Sequence, residues 1–316
     1  MAEKDIITKN VQKSGKSAFV YLPTEWCKEH GLFDGGSIHI ERKPTGELVL
    51  HASMPKSKSP ERTLRLKEIP HILLDKVIAS AYLTGLNSFI ISGQDLGKKV
   101  DMLNIKHVLP GMELMSIDSN SVEFNCTIKL ENLKEVQQSM MKKVINQVRL
   151  VSHENRKLTE QLEDDVDRNY FLLERAMRTA LIDPCYRKEL GLTTVKCLYL
   201  VHCTRMWERI SDMLKHIKIK DESIISKIEE VLTSLYFAVN DSSIKEIEKT
   251  MMKLNDLKKI VNKKAMEAKM NAENKIGIFH AIDYTLITRM MSTVEDIVEV
   301  ILDDYNTTQL LESEGN

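Results

Sequence analysis

Proline and glycine nearly vanish from the last two thirds of this 316-residue sequence. Six of seven prolines and nine of twelve glycines lie in residues 1–111, and only Pro184, Gly191, Gly277 and Gly315 follow. Without these breakers, long helices are permitted there. No apolar run approaches the roughly 18 residues of a spanning helix, which argues against membrane insertion. The five cysteines (Cys27, Cys126, Cys185, Cys197, Cys203) are scattered and never form CxxC. That spacing argues against a disulfide framework or a zinc ribbon and for a reduced, cytoplasmic chain. Met1-Ala2-Glu3-Lys4-Asp5 lacks the basic start and apolar stretch of a secretory signal. Charge of one sign is also missing: 45 Lys/Arg against 46 Asp/Glu give a net −1, so no overall field draws the chain to nucleic acid or membrane.

What is present divides along the chain. Residues 1–110 hold 16 basic and 12 acidic residues, a net +4; the remainder holds 29 and 34, a net −5. The first part is turn-rich and mildly basic, the second acidic and helical, so the class is multi-domain α+β. In residues 1–52, Ser14-Gly15-Lys16-Ser17 is a turn between two strand-like runs. Thr24 is placed to N-cap a short helix ending near His30-Gly31. Ile38 and Ile40, then Leu48 and Leu50, alternate across Pro44-Thr45-Gly46 as a hairpin. Some fifty residues of short strands make a poor core alone, which calls for a second copy. Residues 53–60 read as a linker.

Residues 61–130 read as a small α/β unit: a helix over 72–83 closed by Gly85, a buried strand at Phe89-Ile90-Ile91, and two strands over 112–117 and 122–128. From 131 to 310 the apolar spacing is three and four, with Leu158, Leu162, Val166, Tyr170, Leu173 and Met177 on one stripe. Breaks near Asp183-Pro184, Lys218–Glu222, Asn240–Ser243 and Asn271–Asn274 leave five or six long helices. Thr204–Asp212 overlays Thr288–Asp296 at an offset of 84, and Asp167 overlays Asp256 at 89. Two three-helix repeats follow, about 131–218 and 219–310.

Glu163 and Asp167 are four residues apart, and so are Glu208 and Asp212. On a helix each pair shares a face and repels, which helix stability alone does not ask for. A single acidic run is ordinarily a solvated face. Two matched pairs on consecutive antiparallel helices instead point to four carboxylates converging on a hard or borderline cation. In the second repeat Met252 and Ser292 replace two of the acids, leaving Asp256 and Asp296 as a weaker site. His202 is expected to face the core, Cys197 and Cys203 to be packing residues, and the paired methionines 140–141, 251–252 and 290–291 to fill core gaps.

Residues 163–175, the Asp183-Pro184 break and Trp207–Asp212 resemble the helical repeat of the PhoU family of phosphate-uptake regulators. The resemblance implies multinuclear iron or zinc held by Glu163, Asp167, Glu208 and Asp212, with Asp256 and Asp296 surviving from the second motif. Val11–Trp26 and Gly31-Leu32 are similar to AbrB-type swapped-hairpin DNA-binding domains, with Gly35-Gly36 where those domains carry Gly-Asp. Archaeal PhoU-like proteins join these modules in this order. The implied architecture is a swapped-hairpin β domain, a middle α/β unit and an all-α PhoU-like bundle.

Lys9, Lys13, Lys16, Arg42 and Lys43 are the candidate DNA contacts, each doubled in a homodimer. Phosphate contacts of this kind position a protein without specifying sequence. The expected function is transcriptional regulation of phosphate uptake, not catalysis. The alternative is a regulator that docks on a phosphate-transporter ATPase or sensor protein without binding DNA. A metal-dependent hydrolase ranks below both, since no histidine or lysine set of defined spacing accompanies the acids.

Overall fold

The computed structural model describes residues 8–42, 46–52, 63–67, 69–93, 96, 108–151, 156–270 and 275–314. The fold is mixed α+β, with strands in the N-terminal part and helices after residue 131. The chain divides into two compact units, Met1–Pro60 and Glu61–Glu312, with Ser313–Asn316 grouped with the first.

In the first unit β1 (Gln12–Ser14) and β2 (Ser17–Phe19) form an antiparallel hairpin in which Lys13 faces Ala18. Its corner is Gly15-Lys16, and Gly15 takes φ +62, a conformation glycine adopts without steric cost. Helix α1 (Thr24–Glu29) begins one residue earlier than a Thr24 cap requires: Pro23 holds the N-cap position and no side chain caps the helix. Then β3 (Ile38–Arg42) pairs antiparallel with β4 (Leu48–Ala52). Pro44-Thr45 of the expected turn, the run before Thr8 and the linker lie outside the described residues.

The second unit opens with a four-stranded sheet in the order β5-β6-β8-β7. Its strands are β5 (Thr63–Lys67), β6 (Ser88–Ser92), β7 (Met112–Ile117) and β8 (Ser121–Cys126). Strand β5 runs parallel to β6 through the crossover helix α2 (Leu74–Leu83); the other pairs are antiparallel. Phe89, Ile91, Val122 and Phe124 point to one face and make a core with Ile78 and Tyr82 of α2. The alternation apolar-in, polar-out is the period of a sheet covered on one side.

Seven helices follow among the described residues: α3 (Leu133–Val151), α4 (Arg156–Ile182), α5 (Pro184–Glu189), α6 (Thr194–His216), α7 (Glu222–Asp241), α8 (Ile244–Met270) and α9 (Lys275–Glu314). The three-helix repeat expected over 131–218 needs a break before Asp183-Pro184 as well; α3 and α4 are distinct helices, and residues 152–155 between them lie outside the described residues. At Asp183-Pro184 the break has a clear cause. Asp183 accepts hydrogen bonds from the Cys185 and Tyr186 amides at 2.9 and 3.2 Å, and Pro184 fills the first helical position, where its missing N–H costs nothing. Thr193 caps α6 and Asp221 caps α7 in the same way.

Helices α3, α4 and α6 pack on one another, and α7 packs on both α3 and α8. One continuous apolar core runs through them from Val144, Leu173 and Trp207 to Leu235, Leu257 and Met290. Each such side chain, fully buried, contributes about 1.5–3 kcal/mol. Cys197, Cys203, Met140, Met141, Met290 and Met291 are buried in it as expected. Burial pushes the Cys203 thiol up to about 12, so it is inert at neutral pH. Two readings are corrected. His202 is exposed, because Val201 and Cys203 take the inward positions around it, and Met252 is exposed on the outer side of α8.

The sheet is fastened to the helices by Arg175 of α4, which is buried. Its guanidinium donates to the carbonyls of Tyr82, Gly85 and Leu86, the last two at 3.2 and 2.9 Å, and stacks 4.8 Å from the Tyr82 ring. These carbonyls close the C-terminal end of α2, where a cation is favoured.

Candidate metal centre

The α4–α6 pair is antiparallel, with its register fixed by ion pairs at two levels. Near the start of α4, both carboxylate oxygens of Glu163 accept from Lys215 Nζ at 2.6 Å. Further along, Glu174 is wholly buried and accepts from Arg205 across the helix pair and from Arg178 one turn on. Burial alone would raise the Glu174 pKa. Hydrogen bonds from Arg205, Tyr170 and Arg178 outweigh it and hold the carboxyl below its ordinary value.

Between these levels stand Asp167 on α4 and Glu208 and Asp212 on α6. One carboxylate oxygen from each lies within 4.8 Å of the others. Asp167 and Glu208 are half-buried and Asp212 is exposed. The nearby cations bond other acids, Lys215 to Glu163 and Arg205 and Arg178 to Glu174, while Arg209 stands beside Glu208. Burial, then the carboxylates of Glu163, Asp212 and Asp164, push Asp167 up to about 7. Burial, then Asp212 and Asp167, push Glu208 to about 7 as well. Lys215 beside Asp167 and Arg209 beside Glu208 offset only part of this negative charge, and a divalent cation would offset more of it.

The donor set fits a metal. Three carboxylates offer only oxygen, the choice of hard and borderline ions, and the exposed Asp212 leaves room for water in the remaining positions. The group holds neither the histidine nor the cysteine that structural zinc ordinarily takes.

Of the four acids expected to converge, three do; Glu163 is instead held by Lys215. Asp256 is exposed and bound to Lys259 at 3.1 Å, and Asp296 is exposed. Neither belongs to a group of three such ligands among the described residues. At the corresponding level of the second half an ion pair between Lys258 and Glu295 joins α8 to α9. The Glu174 network is the part that sequence reading missed. The signal was available: Arg178 follows Glu174 by four, and Arg205 precedes Glu208 by three.

In the N-terminal unit Lys9, Lys13, Lys16 and Arg42 are all exposed, with Lys16 at the corner of the β1–β2 hairpin and Lys13 within β1. Lys43 lies outside the described residues. The strands leave large apolar side chains uncovered as well, among them Ile40 at 63% and Leu48 at 64% exposure; Cys27 is the one buried apolar residue described in this unit.

Comparison of the chain with protein-family models, with curated proteins and with solved structures finds no match.

Proposed function

We propose that this chain is a homodimeric, cytoplasmic, DNA-binding transcriptional regulator of phosphate uptake and intracellular phosphate homeostasis, with a metal-binding helical part that senses or relays that status. The single observation that carries the DNA half is the N-terminal unit: Lys13 and Lys16 are exposed in its first hairpin while Phe19, Ile40 and Leu48 of its strands stay uncovered. A unit of this kind is incomplete as one copy. A second copy interlaced with it, as the AbrB-type resemblance implies, would cover the apolar residues and double the lysines.

The regulatory half is supported by the carboxylate trio on paired helices, at positions where the PhoU-type motif carries its ligands. Asp167, Glu208 and Asp212 would hold the ion; iron or zinc is what the PhoU resemblance implies, and an all-oxygen set also suits magnesium, calcium or manganese. Bound there, the cation would neutralise three clustered charges and fix the spacing of α4 and α6. The reading in terms of phosphate rests on the resemblance of residues 163–175 and 207–212.

Gel shifts with duplex from upstream of phosphate-transport genes, run at several salt concentrations, test this reading. Binding should weaken with salt by a slope of about 0.9 per phosphate contacted, and Lys13→Glu with Lys16→Glu should abolish it. No binding at low salt, or binding indifferent to both substitutions, ends the DNA reading. The alternative, docking on a transporter ATPase or sensor, is favoured if transporter components are retained on the immobilised chain and duplex is not.

A further inference from the structure

Helix α8 carries two opposite seams. Ile247, Thr250, Leu254, Leu257 and Val261 are buried and recur at three and four. On the far side Lys245, Lys249, Met252, Asp256, Lys259, Lys263, Met266 and Met270 recur at the same spacing, and all are exposed. An average interval of 3.5 residues is the spacing by which one helix receives another along its length.

This outer seam sets three methionines among four lysines and one aspartate. Met252, Met266 and Met270 are exposed at 64%, 69% and 84%. Single exposed apolar residues are normal on any protein; here Met266 and Met270 are neighbours one turn apart and Met252 lies further back on the same seam, with Asp256, Lys259 and Lys263 between. Methionine side chains re-pack easily, which suits them to receive a partner's apolar groups.

The other seam positions set the sign of that partner: four lysines against one aspartate. Lys249 and Lys259 reach only acids of their own helix, at 3.3 and 3.1 Å, pairs worth little when this exposed. Lys245 and Lys263 make no ion pair or hydrogen bond among the described residues. A helix, with its discrete positions, fits this pattern better than a lipid surface. Glu248 and Glu267 flank the seam and would be repelled by a continuous anionic sheet of headgroups, whereas a helix can avoid placing an acid opposite them.

We propose that the outer seam of α8 is a docking surface for an acidic amphipathic helix of another protein. The partner's apolar residues would lie over Met252, Met266 and Met270, and its carboxylates opposite Lys245, Lys249 and Lys263. The surface depends neither on the metal centre nor on the DNA reading.

The test uses the full chain and a fluorescent synthetic peptide of four heptads, with leucine on one seam and glutamate beside it. The peptide should bind saturably and slow peroxide oxidation of Met252, Met266 and Met270, with buried Met290 unchanged. Lys245→Glu with Lys263→Glu should weaken binding by about tenfold or more while circular dichroism stays the same. Equal oxidation rates with and without peptide would overturn the proposal. So would binding indifferent to the lysine substitutions, or protection of the methionines by phosphatidylserine vesicles or duplex DNA but not by the peptide. A change in the sedimentation of the chain alone on Met252→Glu with Met266→Glu would assign the seam to a second copy and overturn it too.

Discussion

Lys215 closes one end of the carboxylate trio by giving its ammonium to Glu163, 2.6 Å from both oxygens, rather than to Asp167 or Asp212. The two acids of the Glu163–Asp167 pair therefore have different roles, although they sit one turn apart on the same helix.

Metal content separates those roles. Asp167→Ala with Asp212→Ala should lose bound iron or zinc after reconstitution and desalting, measured by mass spectrometry of the metal. Glu163→Gln should retain it within about twofold, since that side chain is not among the three whose oxygens converge. Loss in Glu163→Gln equal to that of the double variant would return Glu163 to the ligand set.

The stability of the metal-free chain should fall as pH rises from about 5 to 8. Asp167 and Glu208 have folded-state pKa values raised to about 7, against about 4 when unfolded. In that window the folded chain holds protons the unfolded chain has released, so stability is full below about pH 4 and declines through 7. Asp283, raised by its burial, acts with the same sign. Glu174 and Asp221 are held low and stay ionised throughout the window. Thermal midpoints with EDTA at pH 5.5 and 8.0 measure the slope. Asp167→Asn with Glu208→Gln should flatten it, and added metal should reverse it.

Arg175→Met should loosen the sheet without unfolding the helices. The substitution leaves the Tyr82, Gly85 and Leu86 carbonyls unpaired at the end of α2, a loss of about 3 kcal/mol. Hydrogen exchange should quicken in β6 and β8 while α6 around Trp207 keeps its protection. Uniform loss across both would show instead that sheet and bundle melt as one.

Gly85→Ala should destabilise by about 1–3 kcal/mol. The residue has φ +79, and a Cβ there would meet Thr179 Cβ at 3.3 Å and its hydroxyl closer still. Thr179→Ala should restore the part due to collision and leave the part due to the left-handed backbone. Urea titrations of the single and double variants separate the two.

The helical part was legible because its period is local. The breaks at Asp183-Pro184, Lys218–Glu222 and Asn240–Ser243 follow from proline and capping chemistry, and the acid pairs follow from four-residue spacing. The pairing of α4 with α6 is long-range, so nothing local told which acid Lys215 would neutralise. Strand β5 shows the opposite failing: Thr63-Leu64-Arg65-Leu66-Lys67 alternates cleanly, yet five residues beside a Pro-rich stretch gave too short a signal. His202 points outward although both its sequence neighbours are buried, because a step of about 100° per residue carries it to the exposed side of the helix.

Helix α4 bears Asp167 of the carboxylate trio, the buried Glu174 and the anchoring Arg175 within nine consecutive residues. Adding or deleting one residue between Asp167 and Glu174 would rotate everything beyond it by about 100°. It would separate the acid from its partners on α6 or pull the arginine off the sheet. Substitutions along this stretch can be absorbed singly, but its length cannot drift. In relatives of this chain the interval should keep a constant count of residues even where the letters change.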